Sequence, residues 1–387
     1  MTETATATPT PDALASVLAD ASFVRLVATD DGDAVAAAGM LAGALRERGV
    51  PFQARVSRDP IPDAGEGEVA VTVGTEAGPR SIPGGPPSAS TTAFAVAREL
   101  GVEPDPVVAL AGGVAAGSIP GTDGTGDALE VAERVGAVTR RPGVAIPTAD
   151  LADGLSASTL LRTPYSGDPE ETRATLAMLD LPATLDDDAH RRLASVVAVD
   201  VAATDGASDR APAAVERALR PYAIDRDVSG EPFETVGGYA DVLDVLARAE
   251  PGTGIALALA TEPSETLATA AIECWREHGL TTHRALDAAT TARYDGSFVA
   301  RVDATAATLP TIARTLRDFR SPEPVAIVLD ESSGRIAAAA TEPMGLGDAC
   351  RSAAGEAGGE GWGTDTRGGM ETETDPAEAL AALRGAL

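Results

Sequence analysis

The chain contains no lysine and no asparagine, and Gln53 is its only glutamine. Every one of its 30 basic residues is therefore an arginine. Cysteine is nearly absent too. Cys274 and Cys350 stand far apart with no metal-ligand spacing, which argues against a disulfide framework and predicts reduced, partly buried thiols. Histidine occurs three times, as His190, His278 and His283, and never in the first 150 residues. A two-metal hydrolase draws several ligands from separate loops, histidine commonly among them, so this scarcity weighs against one. His190 falls in a helical middle stretch, and the other two are expected to flank a helix end. No apolar run of about 18 residues escapes charge, glycine or proline, so no membrane span is expected. The N-terminus "MTETATATPTPDALASVLAD" lacks a basic start and an apolar core, so no secretory signal is expected and the protein is placed in the cytoplasm.

Acid is abundant. Against the 30 arginines stand 59 aspartates and glutamates, for a net charge of −29. Carboxylates hold water and cations strongly, and lysine's long apolar stem is missing. This composition suits a salt-loaded cytoplasm of the kind haloarchaea maintain. An acidic balance ordinarily argues against nucleic-acid partners, whose binding leans on basic contacts. In multimolar salt that argument lapses, because the Debye length is already about 3 Å at 1 M. Local arginine clusters then carry the information. Hydrophobic residues make up 44%, enough for a globular core, and 387 residues exceed one ordinary core.

Residues 1–20 read as a flexible tail, with residues 1–12 a polar Thr/Pro stretch. "SFVRLVATDD" reads as a buried strand. "DAVAAAGMLAGALRERG" reads as a helix with Ala36, Met40, Leu41 and Leu45 on one face and Gly49 as its stop. "PFQARV" and "EVAVTVG" read as strands, "TEAGPRSIPGGPPSAS" as a loop, and "STTAFAVARELG" and "DPVVALAGGVAAG" as helices. Strands alternating with helices predict a parallel α/β domain over residues 21–165. Residues 166–248 read as a mainly helical middle segment. From "EPGTGIALALAT" a second α/β domain is expected over residues 249–387. It includes the strands "GSFVARVDA", "PVAIVLDE" and "GRIAAAAT", the helix "TLPTIARTLRDF", a Gly-rich stretch and a final helix.

Asp31, Gly32 and Asp33 occupy a strand-to-helix turn. Ligands of open α/β sheets bind at the carboxyl ends of strands. Two carboxylates there suit Mg²⁺ or Mn²⁺, hard cations that take oxygen ligands. The same residues also suit a helix cap and first turn, which favour acids. Locally, both readings stand. Arg314, Arg317 and Arg320 recur every three residues on a predicted helix and form a stripe that could meet phosphates or pair with carboxylates. The glycines of "GEAGGEGWGTDTRGG", including Gly358, Gly359, Gly361 and Gly363, could present backbone N–H groups to phosphate or form a surface loop. No G-x-S-x-G elbow or Walker loop is present.

The order of segments from about residue 22 to 387 resembles the DHH/DHHA-one phosphoesterase superfamily, and within it archaeal RecJ-like proteins. "DGDAVAAAGMLAGALRERGVPF" is similar to the family's first motif, H-x-D-A-D-G followed by a small-residue helix. "LSASTLLRTPYSGDPEETRATLAMLDLP", "ETVGGYADVLDVLAR", "RYDGSFVARV", "LRDFRSPEPVAIVL" and the Gly-rich turn resemble later segments. The resemblance implies a DHH-like parallel sheet, a helical middle and a DHHA-one-like nucleic-acid-binding domain. Departures accompany it. Asp31 and Asp33 match the two aspartates, but Thr29 stands for the histidine and Ala34 for the glycine. Val73 and Gly74 stand where the second motif has aspartate. "PRSIPGGPPS" stands for the namesake Asp-His-His, Ala116 for a fourth aspartate, and Gly358, Gly359, Glu360, Gly361 and Trp362 for a Gly-Gly-His turn.

With most ligands missing, the resemblance implies the fold without its hydrolysis. No cofactor is expected, and Asp31 and Asp33 are a remnant metal site. The nucleic-acid contacts would fall to Arg314, Arg317, Arg320, Gly358, Gly359, Gly361 and Gly363. The implied role is in DNA replication or repair, with single-stranded nucleic acid and the replication proteins GINS and MCM as partners. The alternative is an active single-strand-specific RecJ-type exonuclease using Mn²⁺ or Mg²⁺ at Asp31 and Asp33.

Overall fold

The computed structural model describes residues 10–58, 65, 67–78, 80–182 and 184–387. In chain order its elements are α1 (Pro11–Ala19), β1 (Phe23–Ala28), α2 (Gly32–Arg48), β2 (Phe52–Val56), β3 (Glu68–Val73), β4 (Ser81–Ile82), α3 (Ala89–Glu99), α4 (Pro106–Ala115), α5 (Gly126–Val135) and β5 (Val138–Arg140). Then come α6 (Leu151–Ala157), α7 (Pro169–Ala177), α8 (Asp187–Ala203), α9 (Ala211–Glu216), β6 (Tyr222–Ile224), α10 (Arg226–Ser229), α11 (Val236–Ala249), α12 (Pro251–Leu259) and α13 (Glu265–Ala288). The rest are β7 (Thr290–Tyr294), β8 (Ser297–Val302), α14 (Leu309–Phe319), β9 (Val325–Asp330), β10 (Arg335–Ala340), α15 (Leu346–Glu356), β11 (Glu360–Gly363), β12 (Arg367–Glu371) and α16 (Pro376–Ala386). Among the described residues no helix is long and apolar enough to cross a membrane.

The chain forms two compact units, each from separate stretches. The first takes the chain up to Arg141, Ala145–Ala149 and Pro221–Trp275. The second takes Pro142–Val144, Asp150–Arg220 and Arg276–Leu387. The stretch expected as a separate helical middle is thus shared out: α7, α8 and α9 go to the second unit, and β6, α10 and α11 to the first. The expected flexible tail is only in part a matter of structure. Its residues 1–9 lie outside the described residues, while 11–19 form α1, which buries Leu14, Ala15 and Leu18 at helical spacing.

The first unit is built on a parallel sheet of order β2-β1-β3-β4, as the alternation of strands and helices predicts. Its β4 lies in the stretch expected to be a loop. Asp31 caps α2, and Gly49 ends it in the left-handed conformation, where lack of a Cβ removes the steric cost. A one-faced α2 was expected. Instead it is buried almost all round, from Gly32 to Leu45, because α3, α4, α11 and α12 all pack on it. Small residues permit this: a Cβ on Gly39 would stand 2.4 Å from the Cβ of Ala258 in α12. That helix, "PGTGIALAL", was expected to open the second domain. It packs on α2 in the first unit instead.

The second unit carries a mixed sheet of order β11-β12-β10-β9-β8-β7, with β8 and β9 parallel and the other pairs antiparallel. Strand alternation sends successive side chains to opposite faces. Val325, Ile327, Leu329, Ile336 and Ala338 pack beneath α15 and α16 with Leu346, Cys350, Leu380 and Leu383. Ala326, Val328, Ala337 and Ala339 pack on the other face with Ile312 and Leu316 of α14 and Leu286 of α13.

Candidate functional site

The turn after β1 brings the matched aspartates to the carboxyl edge of the first sheet. Asp31 is the N-cap of α2: its Oδ1 accepts from the Ala34 N–H at 3.0 Å, and its Oδ2 from the Thr29 hydroxyl at 2.7 Å. Asp33 turns away. It is 3% exposed, and its two oxygens accept from the N–H groups of Ala89 (2.7 Å) and Ser90 (2.8 Å), the first residues of α3. Burial, reinforced by the charge of Asp31, lifts the Asp33 carboxyl to about 6, while its bonds to Ser90 and Ala89 pull the other way. Asp33 therefore joins the starts of α2 and α3.

The positions that depart from the motif have closed in on one another. Gly74 ends β3 with φ +89°, and a Cβ there would stand 2.0 Å from the Thr29 hydroxyl oxygen and 2.8 Å from the Ala34 Cβ. No side chain fits at this position, a carboxylate included. A Cβ on Gly32 would stand 2.9 Å from the Ala115 Cβ at the end of α4.

Two residues that the sequence did not single out complete this corner. The Gly32 N–H donates to Asp244 Oδ1 at 3.3 Å. Arg248, one turn on in α11, holds Asp244 Oδ2 at 2.7 Å, with its side chain only 7% exposed. Burial disfavours its charge, yet Asp244, Asp30 and Asp31 together hold the guanidinium above the ordinary arginine range. Arg58 pairs with Asp30 nearer the surface. A signal was available: Asp244 and Arg248 are four apart in the mostly apolar "YADVLDVLARA", the spacing of a helical ion pair.

Two of the histidines hold structure. His278 and His283 lie within α13, not at its end, and both are buried. Burial and then Arg162 press His283 down to about 3, so its ring is neutral. Its Nε2 lies 2.9 Å from the Ser158 carbonyl, which only accepts, so Nε2 carries the proton and Nδ1 accepts from Arg162 Nη1 at 3.2 Å. His278 Nε2 meets the Thr311 hydroxyl at 2.9 Å. Among the described residues no three of His, Cys, Asp or Glu come together as metal ligands.

The arginine stripe lies along α14, which covers one face of the second sheet, while the glycine-rich turn leads from α15, on the other face, into the sheet's edge. Arg314 binds the backbone and hydroxyl of Thr159, Arg317 binds Asp318 and the Ala340 carbonyl, and Arg320 binds the Leu286 carbonyl. The stripe thus ties backbone together within its own unit. The glycines answer to packing. A Cβ would stand 2.0 Å from the Glu371 oxygen at Gly359, 2.3 Å from the Cys350 oxygen at Gly361, and 2.2 Å from the Arg367 oxygen at Gly363. Gly358 supplies the left-handed turn after α15. The expected surface loop is largely the edge strand β11, paired to β12.

A family model described as "Uncharacterized protein rrnAC1427, C-terminal domain" matches residues 289–385, from β7 into α16. The uncharacterized protein rrnAC1427 of Haloarcula marismortui is 45% identical over 386 residues, spanning 97% of this chain and 96% of that protein. The chain belongs to the rrnAC1427 family. Its fold is similar to that of CDC45 from Entamoeba histolytica, with a TM-score of 0.61 at 10% identity over 96% of this chain and 97% of that one. It is also similar to RecJ from Thermus thermophilus in complex with Mn²⁺, with a TM-score of 0.52 at 14% identity over 99% of this chain and 55% of that one. The expected α/β architecture, with its RecJ-like likeness, stands at the level of fold. Both Asp33 oxygens are taken by α3, Gly74 leaves no room for a ligand, and a guanidinium already stands among the remaining carboxylates.

Proposed function

We propose that the chain is a RecJ-like protein of DNA replication or repair that binds single-stranded DNA, or replication partners of the GINS and MCM kind, without hydrolysing phosphodiesters. The observation that carries the inactive part is the commitment of Asp33. Both its oxygens serve the start of α3, and a two-metal phosphoesterase needs such oxygens free to bridge or hold its ions. The likeness to CDC45 over nearly the whole of both chains, beside that to RecJ, supports the RecJ-like reading. The partners follow from the resemblance to archaeal RecJ-like proteins. The proposal assigns no DNA contact to the arginine stripe or the glycine-rich turn, whose polar groups and close packing serve the second unit itself.

The test is incubation with 5′-labelled single strands in multimolar KCl with Mn²⁺, alongside capture of partners from lysate at native salt. Intact strands, with GINS or MCM recovered, are expected. Degradation that needs Mn²⁺ and disappears on chelation would overturn the inactive reading in favour of a working exonuclease. Capture without any replication protein would overturn the partner part.

A further inference from the structure

We propose that Arg248 is a built-in counter-ion for the carboxylates at the carboxyl end of β1, a permanent cation that makes a divalent metal unnecessary there and excludes it. Four aspartates serve the start of α2: Asp30 and Asp31 before it, Asp33 in its first turn and turned towards α3, and Asp244 bound to the Gly32 N–H. Buried carboxylates are costly unless paired, and uncompensated ones this close would repel. A metal ion is one remedy. This chain contains another.

Arg248 Nη1 lies 2.7 Å from Asp244 Oδ2 and also donates to the Asp244 carbonyl at 2.7 Å. The side chain is thereby fixed at both the carboxylate and its own helix. The charges of Asp30 and Asp31 act on the same guanidinium. Arginine does not lose its proton in proteins, so this charge is constant where a lysine's or histidine's would not be. A guanidinium is planar with donors in a fixed fork, whereas Mg²⁺ demands near-octahedral oxygen ligands at about 2.0–2.1 Å. A corner arranged around the first does not serve the second. The geometry also explains why Asp31 and Asp33 persist without a metal: they hold two helix starts, and Arg248 neutralises the surplus charge. With the proposed function this inference shares only the absence of a metal at this edge.

The test uses the full chain in multimolar KCl. Arg248→Met removes the charge and keeps much of the side-chain length. Without divalent ions this variant is expected to melt below the wild type. Added Mn²⁺ should raise its midpoint and lose about one free ion per chain from the paramagnetic resonance signal, while the wild type shows neither effect. Arg248→Lys should keep the wild-type indifference to Mn²⁺. Adding Asp244→Asn to Arg248→Met leaves a carbonyl for the Gly32 N–H and removes one charge. The double variant should regain stability and lose Mn²⁺ uptake. Mn²⁺ uptake by the wild type, or a folded Arg248→Met that takes up none, overturns the proposal. If Arg248→Met is unfolded with and without Mn²⁺, the double variant decides: recovery supports the counter-ion, and continued unfolding overturns it. Degradation of DNA by the wild type would end the functional reading, while the Arg248 variants decide the counter-ion without any DNA.

Discussion

Glu231 is fully buried, and among the described residues neither of its carboxyl oxygens meets a hydrogen-bond partner in good geometry. Burial, joined by the charge of Asp105, raises its pKa well above the usual glutamate value, and the neighbouring Tyr239 hydroxyl offsets only part of this. The sign for stability follows from linkage. The unfolded chain gives up this proton near the ordinary value, while the folded chain keeps it to higher pH. Glu231 therefore lowers stability progressively as pH rises above the ordinary glutamate range. Glu231→Gln removes that dependence. It should match the wild type near pH 4.5 and exceed it at pH 8 by about 1–3 kcal/mol, the range for a buried polar group left unpaired. Melts at the two pH values and fixed KCl check this, and a variant less stable at both would show an ionised Glu231 with a cation beside it. This residue and Arg248 have the same lesson for reading sequences. Asp31 and Asp33 stood out because a strand met a helix at them. The donors that occupy Asp33 come from residues 56 and 57 positions further along, a distance no local pattern spans.

Elements declared themselves wherever burial follows a period. The apolar runs of β1, β3, β8 and β9 and the glycine stop of α2 agree with the structure, since strand burial and helix capping act locally. β7 did not, because "TTARY" is a mostly exposed edge strand with no apolar alternation. The Asp295-Gly296 turn that pairs it with β8 was its available signal. α12 joined an unexpected unit, because apolar sequence does not say what it packs on. Close helix approach gives a contrast that can be measured. A Cβ on Gly279, in α13, would stand 1.8 Å from the Ala157 backbone oxygen, while one on Gly355, in α15, would meet nothing within 4 Å. Gly355→Ala should stabilise by about 0.5–1 kcal/mol, as alanine does in a free helix position. Gly279→Ala should destabilise by about 1–3 kcal/mol through overpacking against backbone. Denaturant melts of the two variants check this, and equal shifts in one direction would contradict the close contact.

At the scale of the whole molecule, linear boundaries conceal an interleaved chain. The pattern of strands and helices suggested cuts near residues 165 and 248, but the first unit recruits Pro221–Trp275 from beyond the first of them. Within it, α11 and α12 cover α2, and α11 also covers α4. α2 is so rich in alanine and glycine that it has no polar face to present to water in their absence. A fragment of residues 1–165 would keep the parallel sheet yet expose that helix, and would leave the carboxylates before it without Arg248. The C-terminal stretch differs. All six strands of the second sheet, with α14, α15 and α16, lie between residues 289 and 387, and the core beneath α15 and α16 draws on no residue before it. The other face loses partners: Ala285 and Leu286 of α13, and the bonds of Arg314 to Thr159 and of Thr311 to His278. The expected result is therefore asymmetric. In multimolar KCl, residues 289–387 should unfold in one cooperative transition, while residues 1–165 should bind a hydrophobic dye and melt without one. Adding residues 221–275 to the N-terminal piece as a separate chain should restore a transition, because those residues carry both the missing helices and the missing counter-ion. A cooperative 1–165 fragment would mean that the parallel sheet buries its own central helix, and the interleaving would then contribute nothing to its stability.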